Sequence, residues 1–190
     1  KIKRLYTDPA HCTPLEDVIT AIRDADLIIL GPGSLYTSVI PNLLVEEISK
    51  EIAKSGAKKI YVCNIMTQPG ETDNYAVSDH IRAIMQHANS PKVIDAVLVN
   101  DFLPKNLADK YQKAGSYPVR LDFENVSKLE VEVFSKKLIE DSPEGLVRHS
   151  STRVARAVYS WFRKQGKEDK TFFLTKETPK NDETTQECNL

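Results

Sequence analysis

The chain has 190 residues, enough for one substantial domain with its own core. Twenty-six Lys and Arg stand against 27 Asp and Glu, a formal net charge of -1. No charge excess points to a nucleic-acid partner, and pairs such as Lys58-Lys59 and Lys136-Lys137 read as solvated surface rather than a phosphate-backbone footprint. Cys12, Cys63 and Cys188 are odd in number and widely spaced, so they offer neither a disulfide framework nor a C-x-x-C metal pair and fit a reducing compartment. No apolar run approaches the roughly 18 residues that a membrane span needs, and no signal peptide is visible. The expectation is a cytoplasmic protein. The chain opens with Lys1, and Ile2 to Tyr6 alternates as a strand would, which suggests a fragment or processed chain whose fold begins earlier.

In chain order, Thr13-Pro14-Leu15-Glu16 has the form of a capping box, and Leu15, Val18, Ile19 and Ile22 come after it at helical spacing. This predicts an amphipathic helix ending near Asp24, with a strand over 26–31 directly after it. Pro41 interrupts the apolar segment from Leu35 to Leu44. The prediction is a short helix, a break at Pro41-Asn42, and a second helix to Lys54 that buries Leu44, Val45, Ile48 and Ile52. Lys59 to Asn64 predicts the next strand, with Cys63 as a small core residue. Tyr75 to Ala88 predicts a helix in which His80 is structural rather than a catalytic base. Val93 to Asn100 predicts a third strand, after which Asn100-Asp101 is either a turn or a base or ribose contact.

Further on, a helix over Lys105 to Ala114, a short strand over Tyr117 to Leu121 and an edge strand over Leu129 to Phe134 are expected. A strong helix then carries Val154, Val158, Trp161 and Phe162 on one face, with Ser150 or Ser151 as its cap. Beyond Gly166 charged residues and Thr dominate. The organisation read from this is an α/β domain over 1–164 and a flexible charged tail over 165–190, without internal repeats.

Two stretches carry chemistry. The run Asp26 to Leu30 empties into Gly31-Pro32-Gly33-Ser34, and Leu35, Tyr36, Thr37 and Ser38 then open a helix. Glycines let backbone approach an oxyanion, and the first amides of a helix point outward with its dipole behind them. The stretch is neither a Walker A loop nor G-x-G-x-x-G, because it lacks the Lys-Ser/Thr pair and Tyr36 stands where a third glycine belongs. A plain strand-to-helix turn is the alternative. The second stretch, Asn64-Ile65-Met66-Thr67-Gln68-Pro69-Gly70-Glu71-Thr72-Asp73-Asn74, is dense in donors and acceptors. In an open parallel sheet, two polar loops leaving successive strands face one crevice. The alternative here is a solvated loop with Thr72 or Asp73 as N-cap. Arg148-His149, just outside the last helix, reads either as an anion contact or as a surface pair.

Taken together, Gly-Pro-Gly-Ser-Leu-Tyr-Thr-Ser-Val-Ile-Pro-Asn-Leu-Leu-Val at 31–45 and Met-Thr-Gln-Pro-Gly-Glu-Thr-Asp at 66–73 resemble the YvcK-type gluconeogenesis factors of the CofD-like family. Order and separation of the motifs match, and the likeness extends over about residues 1–164. It implies a Rossmann-like three-layer α/β fold with a mostly parallel sheet, binding a nucleotide sugar at the carboxyl ends of the strands. The implied ligand is a UDP-sugar, notably UDP-N-acetylglucosamine. The implied role is regulatory, linked to cell shape, peptidoglycan synthesis and growth on gluconeogenic carbon sources. By resemblance Gly31, Pro32, Gly33, Ser34, Leu35 and Tyr36 would meet phosphates or sugar. Asn64, Thr67, Gln68 and Gly70 would line the nucleotide crevice, and Arg148 would approach the diphosphate. The glycine-rich strand-turn-helix with which family members begin is not in this sequence. The resemblance also leaves room for a homo-oligomer and for cell-wall synthesis proteins as partners.

Two function classes fit these residues. A ligand-responsive binding protein fits loops rich in amides and hydroxyls, with Glu71 and Asp73 as the close carboxylates for helix capping, a sugar hydroxyl or magnesium. A CofD-type 2-phospho-L-lactate transferase, which makes a coenzyme F420 precursor with magnesium, is the alternative. It ranks second because no Trp or Phe cluster stands near either loop to stack a flavin-like ring. Ser150, Ser151 and Thr152, close to Arg148, Arg153 and Arg156, are candidate phosphorylation sites at a helix N-terminus.

Overall fold

A computed structural model describes residues 2, 4–140 and 146–166. Four strands, β1 (Leu27–Leu30), β2 (Lys58–Val62), β3 (Ala96–Asn100) and β4 (Glu132–Lys136), form one sheet in the order β1-β2-β3-β4. Every pairing is parallel, with Ile29 opposite Ile60, Tyr61 opposite Val97 and Leu98 opposite Phe134. Parallel neighbours need crossovers, and here these are largely helical: α1 (Glu16–Asp24) leads into β1, and α2 (Ile40–Leu43) and α3 (Glu46–Lys54) connect it to β2. Then α4 (Val77–His87) precedes β3, and α5 (Lys105–Gln112) and α6 (Phe123–Ser127) precede β4. The last helix is α7 (Ser151–Lys164).

Side chains alternate across the pleat, and the two faces have separate cores. Leu30, Tyr61, Val97 and Val99 pack with Leu43, Ile52, Ile81, Ile84 and Val126 from the helices between strands. On the opposite face Ile60, Val62, Ala96 and Leu98 meet Val154, Ala157, Val158 and Trp161 of α7. The three-layer α/β arrangement expected from the sequence is thus the arrangement found. Trp161 is buried, and its indole Nε1 donates to Glu132 Oε2 at 2.9 Å, satisfying the one polar atom of that side chain.

Local corrections have identifiable causes. The Thr13 capping box does not form: α1 opens at Glu16 with Leu15 extended at φ -68° and ψ 142°, and no side chain caps it. Pro41 sits where the helical turn over 35–39 passes into α2, and the helix continues through it to Leu43. The break comes instead at Leu44-Val45, where Val45 is extended at φ -73° and ψ 106°. The segment from Tyr117 to Leu121 is not a strand; it makes isolated bridges, Met66 with Pro118 and Ala76 with Arg120. The short helix α6 falls where sequence periodicity fades, and among the described residues from Ile2 to Tyr6 there is no strand. Cys63 is buried as expected. The tail beyond 166, with Cys188, lies outside the described residues, whereas Gln165 packs at the end of α7 and donates to Glu132 Oε2 at 3.2 Å.

Candidate functional site

The carboxyl ends of β1 and β2 deliver the two motif stretches side by side. Gly31 leaves β1 with φ +82°, and a Cβ there would stand 3.1 Å from the Val62 carbonyl. Only glycine therefore fits both the backbone angle and the approach to β2. The Gly31-Pro32 peptide is cis. Beyond Ser34 the chain enters a π-helical turn, Leu35–Val39, rather than an α-helix. In this turn the Val39 amide donates to the Ser34 carbonyl at 3.1 Å before α2 continues. Such turns cluster at functional sites because they reposition backbone groups. The amides of Leu35, Tyr36 and Thr37 open this turn without intrahelical acceptors.

The resemblance has Leu35 and Tyr36 meeting ligand, but their side chains are buried, at 0 % and 4 % exposure. Only their main-chain amides can face a ligand. Tyr36 instead points inward, where its hydroxyl lies 2.7 Å from that of Tyr75. Burial holds the Tyr36 hydroxyl protonated far above its usual range, with contributions from Tyr75, Asp79 and Glu71. Pro32 is exposed and Gly33 and Ser34 are half-buried.

The loop after β2 is locked from within. Gln68 N donates to Thr72 Oγ1 at 2.8 Å, Glu71 N to the Gln68 carbonyl at 3.1 Å, and Gly70 N to Asp73 Oδ2 at 2.8 Å. Thr72 and Asp73 thus cap the loop itself. The helix α4 is served by Asp79, which accepts from Ala76 N at 2.9 Å, and by Asp122, which accepts from Ser78 N and Oγ at 3.0 and 2.6 Å. Thr67 is buried and tied to the segment 116–117: it receives Tyr117 N on Oγ1 at 2.9 Å, and its carbonyl accepts from Ser116 Oγ at 2.6 Å. It holds the loop in place. Gln68 does the opposite and reaches across: Nε2 donates to Ser34 Oγ at 2.8 Å, joining the two loops, while its Oε1 is buried without a partner.

Behind these loops lies a buried polar ladder. Tyr61 Oη is 3.0 Å from His80 Nδ1, and both residues are wholly buried. Burial pushes the Cys63 thiol up to about 12 and lowers His80 to about 4, so neither serves as a ready nucleophile or proton carrier at neutral pH. The structural role expected for His80 is the one it has. The Asn64 backbone amide faces the Tyr61 and Cys63 side chains, which fixes the start of the loop.

Asn100, at the end of β3, is a clamp: Oδ1 accepts from Leu138 N at 2.9 Å and Nδ2 donates to the Phe102 carbonyl at 2.7 Å. Both polar atoms of the Asn100 side chain are thus engaged by main-chain groups. On the far side, Glu140 N donates to the Arg148 carbonyl at 3.0 Å and Ser150 N to the Leu138 carbonyl at 2.7 Å, setting Arg148-His149 beside the strand ends. Arg148 is exposed. His149 is half-buried, and burial lowers its pKa despite the Cys63 carbonyl against its ring. Ser150 caps α7 through Arg153 N at 3.5 Å. The ties of Asp122, Ser116 and Asn100 have no local signal in the sequence, since each joins segments at least 38 residues apart.

Two cavities of about 430 Å³ each lie between the amino-terminal segment and α4, one lined by Tyr36, Tyr75 and Arg82 and the other by Arg4, Leu5 and His87. Neither includes Ser34, Gln68 or His149.

With this geometry, similarity becomes informative. The model of the family described as 2-phospho-L-lactate transferase CofD matches residues 1–139. The chain belongs to the CofD family. Within the CofD family it is 43 % identical over 156 residues to the gluconeogenesis factor of Bacillus subtilis, covering 82 % of this chain and 49 % of that protein. It is 40 % identical over 158 residues to the gluconeogenesis factor of Listeria innocua, covering 83 % of this chain and 48 % of that one. A crystal structure of a UPF0052 family protein from Bacillus halodurans superposes with a TM-score of 0.78 at 41 % identity, over 82 % of this chain and 50 % of the other. The likeness to gluconeogenesis factors read from the two motifs is therefore real. This CofD-family chain spans about half the length of these relatives.

Proposed function

We propose that this CofD-family protein is a cytoplasmic nucleotide-sugar-binding regulator of the gluconeogenesis-factor type, with UDP-N-acetylglucosamine as its ligand. The observation that carries the reading is the 2.8 Å hydrogen bond from Gln68 to Ser34. It joins the loops leaving two adjacent parallel strands into one polar wall at the carboxyl end of the sheet, where open α/β sheets take their ligands. The outward amides of the Leu35–Val39 turn suit a diphosphate, and Arg148 is an exposed guanidinium beside the same strand ends. Through occupancy of this wall the protein would link sugar-nucleotide supply to peptidoglycan synthesis, cell shape and growth on gluconeogenic carbon sources. Cell-wall synthesis proteins, or a second copy of the chain, are the partners such a role calls for. Among the described residues no helix is long and apolar enough to cross a membrane.

Calorimetric titration with UDP-N-acetylglucosamine tests the reading. Saturable binding supports it, and absence of binding at millimolar ligand overturns it.

The family description favours one second reading, transfer of phospholactate from a nucleotide-activated donor to a deazaflavin acceptor. That chemistry calls for magnesium. Among the described residues no three carboxylate, imidazole or thiolate groups converge, and Asp73 Oδ2 already accepts from Gly70 N. Among the described residues there is thus no all-protein magnesium site, and an ion there would rest on one or two carboxylates together with substrate phosphates. Product formation from those substrates, detected by mass spectrometry, would replace the binding reading with the transferase.

A further inference from the structure

His87, the last residue of α4, has both ring nitrogens engaged, and its partners dictate which species can make the contacts. Nδ1 lies 2.7 Å from the Ala83 carbonyl, which only accepts, so Nδ1 carries a proton. Nε2 lies 3.2 Å from the Leu5 amide, which only donates, so Nε2 presents its lone pair. The two contacts together fit the neutral imidazole protonated at Nδ1. In the imidazolium both nitrogens are donors, and Nε2–H would meet the Leu5 N–H head on.

This contact ties down the amino-terminal segment. Among the described residues of 2–12, the Leu5 amide makes the hydrogen bond that reaches the rest of the fold. The bonds from Thr7 Oγ1 to the Ala10 carbonyl and from Cys12 Sγ to the Pro9 carbonyl stay within the segment. Ile2 and Leu5 are partly buried against the core beneath them. The segment also walls both cavities, with Ile2 in one and Arg4 and Leu5 in the other. Tyr36 meets the His87 ring edge-on with centroids 5.9 Å apart, so the imidazole joins the segment, α4 and the turn of the first motif.

The surroundings of the latched ring do not accommodate a second positive charge. Arg4 lines the same cavity as His87, and Leu44, Gln86 and Asn89 complete that lining without a carboxylate. From the turn comes the Tyr36 hydroxyl, which burial keeps protonated. On α4 the charged pair Asp79 and Arg82, 3.4 Å apart, lines the other cavity. His11, the other imidazole of the segment, lies near Glu46. The carboxyl end of a helix attracts positive charge, which keeps the protonated ring attainable once the segment and Arg4 have moved away.

We propose that His87 and Leu5 form a proton-operated latch. With the neutral ring, segment 4–6 is closed over α4. Protonation at Nε2 breaks the contact, the Leu5 amide turns to solvent, and the two cavities open on the side that the segment walled. The closed form binds one proton fewer at this ring, so the closed fraction falls as pH falls. The latch needs no ligand and stands apart from the nucleotide-sugar reading.

NMR spectroscopy of the full chain from about pH 8 to about pH 5, across which an ordinary imidazole changes charge, tests it. The His87 ring, the Leu5 amide and the heteronuclear NOEs of 4–6 are followed in the same samples. In the wild type the Leu5 amide should leave its hydrogen-bonded position with the same midpoint as the His87 ring. The open population of the segment should rise about fivefold or more, the order expected when one neutral hydrogen bond is lost. In His87→Gln the side-chain carbonyl offers Leu5 an acceptor that does not titrate, so both readouts should stay flat. A ring that titrates while Leu5 and the NOEs stay unchanged overturns the latch, as does a ring that stays neutral throughout. The same pH response in His87→Gln overturns it too, by placing the sensor elsewhere. Should His87→Gln not fold, the wild-type midpoints decide: coincidence supports the latch and separation overturns it.

Discussion

Gln68 Nε2 donates to Ser34 Oγ at 2.8 Å across 34 residues of sequence, and this contact makes one wall out of two loops. Gln68→Ala removes it while leaving the loop's internal bonds through Thr72 and Asp73 intact. The expected cost in folding is about 1 kcal/mol, the usual worth of a half-buried neutral hydrogen bond. The expected cost in UDP-N-acetylglucosamine affinity is about tenfold, because the loop edge is no longer positioned. A urea melt and a calorimetric titration on the same preparation separate the two effects.

Gly31 and Gly70 both have positive φ, at +82° and +84°, but differ in surroundings. A Cβ at Gly31 would stand 3.1 Å from the Val62 carbonyl, whereas nothing lies within 4 Å of one at Gly70. Gly70→Ala should cost about 1 kcal/mol from backbone strain alone, and Gly31→Ala roughly 2–3 kcal/mol because β1 and β2 must also part. Equal shifts in urea midpoint would contradict the close approach.

His80 titrates at about 4 in the folded protein against 6.5 for an ordinary histidine, because burial disfavours its charged form. The unfolded chain therefore binds more protons between those values. Stability is fully present above about pH 6.5 and falls as pH drops toward 4, by at most roughly 3 kcal/mol from this group. In His80→Leu, which removes the Nδ1 partner of the Tyr61 hydroxyl, the protein should be less stable at neutral pH but should show a shallower loss between those pH values. Melting temperatures across the range give both quantities.

Arg148 is exposed and precedes α7. Arg148→Ala should leave stability within about 0.5 kcal/mol, as for surface substitutions in general. Affinity for UDP and UDP-N-acetylglucosamine should fall in parallel, and the loss should shrink as salt rises, since a diphosphate contact is screened. A change confined to the sugar nucleotide would place Arg148 at the other end of the ligand.

Much of the fold is legible because the period of apolar residues changes visibly along the chain. Leu27–Leu30, the core of β2 and Ala96–Asn100 read as buried strands, and Val154, Val158 and Trp161 read as one face of a helix. Boundaries are less legible where the backbone rather than the side chain decides. Pro41 reads as a breaker, yet in the first turn of α2 it breaks nothing. The π-helical turn has no sequence period of its own, so the sequence does not show that the side chains of Leu35 and Tyr36 belong to the core.

By itself the sequence determined the α/β class, the two motif stretches and their order, because glycine turns and apolar runs act locally. Tertiary structure decided which residues of those stretches face one another. It turned Thr67 toward segment 116–117 and Gln68 toward Ser34, and it left Gln68, Glu71 and His149 with unpaired acceptors. Hydrogen bonds are short and directional, so partners far apart in sequence are chosen only when packing of the sheet brings the strand ends together.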